Sequence, residues 1–211
     1  MTRYDFTTQP NRLNQNTMKW HEAESDPELL ELWVADMDFL PVPEIRDAVI
    51  NYAETHIFGY PYPSDELYQS IIDWEKNQHG YSVDKASIVL IEGVVPAIST
   101  AIQSFTKEDD AVLINTPVYP SFARSVRLNN RKLIENSLVK VNGHFEIDFE
   151  QLERDIVDND VKLYVFCSPH NPGGRVWTKE ELTMVADLCQ KHGVLLVSDE
   201  IHQDLALYGN K

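Results

Sequence analysis

From residue 83 onward, short apolar runs alternate with helix-like segments, and few architectures accommodate that alternation. The runs are SIVLI (87–91), AVLIN (111–115), KLYVF (162–166) and VLLVS (194–198). Each is rich in Val, Ile or Leu and apolar at consecutive positions, as a parallel strand buried on both faces requires. Between them lie VVPAISTAIQSF, YPSFARSVRLNN and TKEELTMVADLCQKHG. The last has Leu182, Val185, Ala186 and Cys189 at helical spacing, Thr178 before a Glu-rich first turn, and Gly193 as a stop. Strands that alternate with helices imply an α/β domain with a largely parallel sheet and helices on its faces. RKLIENSLVKV offers a further strand before the IDFEQLERDIVD helix.

The first eighty residues follow another pattern. RLNQNTMKW and ELWVADMDFLPVP are irregular and punctuated by Pro. PEIRDAVINYAETH and SDELYQSIIDWEKNQHG have amphipathic helical patterns, the second opening on a cap at Ser64, and FGYPYP between them is a Gly/Pro-marked loop with two tyrosines. A soft boundary near residue 45 divides an N-terminal arm (1–45) from the α/β body (46–211). A formal charge of -16, spread along the chain, argues against nucleic acid as a partner, since phosphate backbones are bound by clustered Lys and Arg. The two cysteines, Cys167 and Cys189, have neither metal-ligand spacing nor a disulfide framework, and their apolar surroundings suit small core residues. MTRYDFTTQPNR lacks the apolar run of a signal peptide, and no window reaches the length of a membrane span, so a cytoplasmic protein is expected.

In a parallel α/β sheet, ligands sit outside the carboxyl ends of the strands. Four features fall there. EGVVPAIS (92–99) turns from strand to helix at Gly93, where backbone N–H groups suit a phosphate; taken alone, it also reads as an ordinary tight turn. NTPVYP (115–120) sets Tyr119 between two prolines, either as a stacking plate for a flat ligand or as a packed surface tyrosine. CSPHNPGGRVWT (167–178) flanks Asn171 with Pro169, Pro172, Gly173 and Gly174, which fits a turn-capping Asn or a side chain held for a ligand. SDEIHQD delivers Asp199 from an apolar strand, where an unpaired carboxylate is costly; a helix cap or a distant arginine would also answer it. No Gly-x-Gly-x-x-Gly follows any expected strand, so a nicotinamide site has no support.

The order of these parts resembles the pyridoxal 5'-phosphate enzymes of the aspartate-aminotransferase fold, and most closely the MalY/PatB-like branch of cystathionine β-lyases. WVADMDF (33–39), FGYP (58–61), GVVPAIS, TPVYP, PHNPGGRVWT and SDEIH carry the resemblance. It implies a fold-type-I large domain with a mainly parallel sheet, incomplete at its C-terminal side, as the cofactor-binding body. In such enzymes the acid at the position of Asp199 bonds the pyridine nitrogen, and Asn171 matches the donor to the phenolic oxygen. Tyr119 matches the aromatic stacked on the ring, and the N–H groups of Val94 and Val95 match the phosphate cradle. Tyr60 matches a tyrosine that reaches the neighbouring subunit's phosphate, implying a homodimer. His202 stands near the phenolic oxygen, and Ala35, with Asp36 and Met37, lies where the arm approaches the substrate carboxylate.

The implied reaction is α,β-elimination from a sulfur amino acid such as cystathionine, giving a thiol, pyruvate and ammonia. An aminotransferase on the same scaffold and a non-catalytic fragment are the alternatives. The Schiff-base lysine of such enzymes belongs to a Ser-rich motif well past SDEIH. Lys211 does not match that motif, so the resemblance covers the N-terminal part of such an enzyme, with the catalytic lysine expected beyond Lys211 and the chain itself expected to be inactive.

Overall fold

The computed structural model describes residues 4–26, 28–207 and 209, which fall into two compact units, Met1–Pro63 and Ser64–Lys211. In the first unit, helix α1 (Pro43–Thr55) starts on Pro43, whose missing N–H costs nothing at a helix's first position. The segment before it is irregular and is held by polar contacts. Arg12 bridges Asp36 and Asp38 at 2.5 and 2.6 Å, and Lys19 Nζ reaches Asp38 at 2.8 Å and donates to the Asp36 carbonyl at 2.9 Å. Phe6 packs edge-on against Phe39.

The second unit opens with α2 (Asp65–Trp74), capped by Ser64 Oγ, which accepts from Leu67 N–H. A short π-helical turn, Glu75–His79, extends it to Gly80, whose left-handed backbone ends the helix. The expectation of a buried strand at 87–91 is not met. Lys85–Ser87 forms a 3₁₀ turn, residues 88–91 join no ladder, and Val89 is 83 % exposed. An apolar run makes a strand only when another backbone takes its N–H and C=O groups, and among the described residues none lies alongside it.

The remaining runs form the sheet. β1 (Ala111–Thr116), β2 (Lys132–Ser137), β5 (Val161–Cys167) and β6 (Leu195–Asp199) are parallel and ordered β2-β1-β5-β6. RKLIENSLVKV divides: its first half is β2, and its second half is β3 (Val139–Val141), which pairs with β4 (His144–Glu146) in a separate hairpin. Alternate side chains feed two apolar layers. Val112, Ile114, Leu163, Val165 and Cys167 face α3 (Val94–Phe105) and α4 (Ser121–Leu128), with Ile98, Ile102, Phe122 and Val126. Leu113, Tyr164 and Phe166 face α5 (Phe149–Asp158) and α6 (Lys179–His192), with Leu152, Ile156, Val185 and Cys189. β6 departs from the expectation of full burial. Among the described residues it pairs on one side only, and Leu195 and Ser198 are exposed. α6 is bounded as its sequence implies, by a reciprocal Thr178–Glu181 capping box and by left-handed Gly193. Among the described residues no helix is long and apolar enough to cross a membrane.

A polar chain crosses the sheet beneath one rim. The Tyr164 hydroxyl donates to Asn115 Oδ1, Asn115 Nδ2 donates to Asn136 Oδ1 at 3.0 Å, and Asn136 Nδ2 donates to Asp155 at 2.8 Å. Asn115 and Asn136 face each other because β1 and β2 pair in that register.

Candidate active site

Parallel strands bring their carboxyl ends to one rim, so the loops after β1, β5 and β6 emerge together. Cys167 and Asp199 are register partners at the ends of β5 and β6, and Ser168 N–H donates to the Asp199 carbonyl at 2.9 Å. The Asp199 side chain is buried and, among the described residues, accepts one hydrogen bond, from Ile201 N–H at 3.1 Å. Among the described residues no Lys, Arg or His forms an ion pair with it. A buried carboxylate with so little neutralisation is normally disfavoured, and at a ligand rim it marks a place for an external cationic or N–H group.

The loop after β5 is stiff. His170 N–H donates to the Arg175 carbonyl at 2.7 Å, Gly174 N–H donates to the His170 carbonyl at 2.8 Å, and Asn171 N–H rests on Cys167 Sγ at 3.4 Å. Trp177 Nε1 donates to the Cys167 carbonyl at 2.9 Å, while the Arg175 guanidinium lies over the Trp177 ring and grips both Glu181 oxygens at 2.6 Å. Burial pushes the Cys167 thiol pKa up, the Asn171 N–H opposes this, and the Asp199 charge adds to the rise, so Cys167 stays a protonated donor to the Pro169 carbonyl. In this frame the half-buried Asn171 carboxamide makes no hydrogen bond among the described residues. It lines a cavity of about 360 Å³ together with His202, His170 and Leu205.

Gly93 precedes α3 at φ +112°, a backbone that a side chain would strain, and it supplies no side-chain cap. Among the described residues the N–H groups of Val94 and Val95, in the first turn, therefore have neither an intrahelical acceptor nor a cap. Val94 packs against the same apolar layer as Val118, in the loop that carries Tyr119. Tyr119 is 42 % exposed and touches Phe122 edge-on, leaving a ring face free of stacking partners among the described residues. Asn171 and His202 thus share one cavity, Asp199 sits beside Cys167, and Tyr119 and the α3 N-terminus belong to one face of the sheet. A larger cavity, about 640 Å³, is lined by His79, Trp177, Glu200 and Asp204 and includes none of Tyr119, Asn171 and Asp199. Tyr60 and Ala35 belong to the Met1–Pro63 unit, where both are exposed.

Sequence reasoning missed three contributors. The apolar surroundings of Cys167 imply only a core residue, although its sulfur also seats the Asn171 backbone. His170, one residue before Asn171, is 3 % exposed. Lys19, Arg12 and Trp20 gather on Asp38, within the Met1–Pro63 unit that also holds Ala35. An apolar strand ending in Cys before a Pro/Gly loop was a usable signal for the first; partners 18 to 26 residues apart gave none for the last.

The profile of the family described as aminotransferase class I and II matches residues 27–210. The chain belongs to that family. Among individual members, it is 40 % identical over 210 residues to cystathionine beta-lyase PatB of Bacillus subtilis, covering 98 % of this chain and 54 % of the relative. It is 34 % identical over 179 residues to protein MalY of Escherichia coli, covering 84 % and 46 %. Among solved structures, cystalysin from Treponema denticola, which contains a pyridoxal 5'-phosphate cofactor, superimposes with a TM-score of 0.91 at 39 % identity, over 98 % of this chain and 54 % of that one. The chain spans about half the length of the curated relatives it matches. The α/β fold is the aspartate-aminotransferase-like, type I fold of pyridoxal-phosphate enzymes, as the order of motifs implied.

Proposed function

We propose that this aminotransferase-family chain supplies the cofactor cradle of a pyridoxal-phosphate-dependent carbon–sulfur β-lyase acting on a sulfur amino acid such as cystathionine. The observation that carries the reading is Asp199, a buried rim carboxylate with one backbone hydrogen bond and no cation against it among the described residues. Its needs match those of a protonated pyridine nitrogen. Two further unsatisfied sets support the same ligand: the unbonded carboxamide of Asn171 and the uncapped N–H groups of Val94 and Val95. An anionic acceptor, a neutral donor and a helix N-terminus suit a ring nitrogen, a phenolic oxygen and a phosphate.

When bound, pyridoxal phosphate supplies a sink for the electrons left as the substrate Cα–H bond breaks. Asp199 holds the proton on the ring nitrogen, which deepens that sink. Asn171 would donate to the phenolic oxygen, with His202 lining the same cavity, and Tyr119 would cover one ring face and exclude water there. Val94 and Val95 orient the phosphate through their N–H groups. By the same resemblance, Tyr60 would hold the phosphate of a neighbouring subunit in a homodimer, and the Ala35–Asp36–Met37 segment would bind the substrate carboxylate. The covalent anchor and α-proton base are assigned to a lysine outside these residues.

The lyase reading, in preference to transamination, draws on the name of PatB. The family description favours the second reading, an aminotransferase. The two differ in co-substrate. Full-length protein is expected to release pyruvate from cystathionine with no keto-acid acceptor, and strict dependence on an acceptor would overturn the lyase assignment. The cradle is tested in the chain itself with pyridoxamine 5'-phosphate, which lacks the aldehyde and cannot condense with surface lysines. Asp199→Asn is expected to weaken its binding about tenfold or more, the loss of one charge-assisted hydrogen bond. Unchanged affinity would remove the basis of the reading.

A further inference from the structure

His170 uses its polar groups unevenly. Its backbone closes a two-residue bridge with Arg175, and its ring Nδ1 accepts from Gly173 N–H at 3.2 Å. That bond places the ring proton on Nε2, which is buried and has no partner among the described residues. Burial and the nearby Arg175 charge keep the imidazole neutral, so Nδ1 remains an acceptor. Leaving a buried donor unpaired is destabilising, and a ring that tolerates it is held by its other contacts. Those contacts are specific: the ring meets Trp177 edge-on at 5.6 Å, and a Cβ on Gly173 would lie 2.6 Å from Nδ1. The imidazole therefore braces the Asn171–Pro172–Gly173 turn at its far end, while Cys167 Sγ seats its near end at Asn171 N–H.

We propose that His170 is a positioning residue for Asn171, acting through the Nδ1 bond to Gly173 and not through Nε2. The inference rests on the cofactor reading, in which the free Asn171 carboxamide meets the phenolic oxygen. Asparagine and glutamine separate the two ring nitrogens, because Asn offers an acceptor near the Nδ1 position and Gln offers one near Nε2.

The experiment measures pyridoxamine 5'-phosphate affinity and hydrogen exchange at the Gly173 amide in wild type, His170→Asn, His170→Gln, Asn171→Ala and the His170→Gln/Asn171→Ala pair. His170→Asn is expected to keep affinity within about twofold and to keep Gly173 protected. His170→Gln is expected to lose about fivefold in affinity along with that protection, and to have no further effect once Asn171 is alanine. A His170→Asn variant as impaired as the Gln variant, or a Gln variant that binds normally, overturns the proposal. If His170→Gln does not fold, normal binding by His170→Asn is still required. If Asn171→Ala binds as wild type does, the cofactor reading is what fails, and the inference falls with it; if Asn171→Ala is impaired and the isosteres behave alike, the inference alone fails.

Discussion

Replacing Tyr164 by Phe tests the polar chain that crosses the sheet. Tyr164 is fully buried, Asn115 is 3 % exposed and Asn136 is fully buried, so no water can take over a lost bond without rearrangement. Burial raises the Tyr164 pKa well above its ordinary value, so the hydroxyl is a donor at any pH the fold survives. Tyr164→Phe removes that donor and strands Asn115 Oδ1, a cost of about 1–3 kcal/mol. Asn115→Leu keeps most of the volume but strands two groups, the Tyr164 hydroxyl and Asn136 Oδ1, for roughly 2–5 kcal/mol. The double variant strands only Asn136 Oδ1, since each first replacement removes the partner whose loss the other would feel. Its destabilisation is therefore expected to fall short of the sum of the singles by about 2–5 kcal/mol, the cost of two stranded groups. Urea unfolding of the four proteins, read from the midpoint at constant slope, gives the cycle. Additivity within roughly 0.5 kcal/mol would refute the claim that the two side chains form one unit. Because Asn115 lies at the carboxyl end of β1, one residue before its last and four before Tyr119, the singles should also lower pyridoxamine 5'-phosphate affinity.

Two other outcomes are expected. Gly173→Ala places a Cβ 2.6 Å from His170 Nδ1 and 3.1 Å from Phe145, so it should destabilise the chain by about 1–3 kcal/mol, whereas Gly174→Ala meets no atom within 4 Å and carries only left-handed strain; thermal melts that rank the pair the other way would contradict the packing. The Lys19 ammonium, with Arg12 and Trp20, pulls the Asp38 pKa down to about 2 against the effect of burial. A carboxylate lowered in the fold adds stability that is complete above its ordinary value of 3.8 and is lost as pH falls through about 2, and the Trp20 indole N–H resonance, bonded to Asp38, should titrate near that lower value. A midpoint near 3.8 would mean that the cluster does not form.

The α/β body was legible because its signals are local. Val112 to Ile114 and Leu163 to Phe166 are apolar on both faces, and Thr178, Glu181 and Gly193 write the ends of α6 within a few residues of those ends. Asp199 and Asn171 stood out for a similar reason, since a polar group set against apolar or rigid neighbours conflicts with its surroundings. What escaped depends on partners distant in sequence. Residues 88–91 have the composition of a strand but no ladder, and pairing is a property of two segments. Tyr164, Asn115 and Asn136 meet only through strand register, and Arg12 meets Asp38 only through the course of the irregular arm.

The one-sided pairing of β6 also bears on how the protein behaves at high concentration. Along 195–199 the N–H and C=O groups that face away from β5 meet no strand among the described residues, and, in a chain that also presents the branched side chains of Val89 and Ile91 to water, they are a template for backbone from any source. Handling of the chain therefore turns on whatever caps that margin. A lysine introduced there would be a solubility device, and an added extended peptide would be a competitor for it.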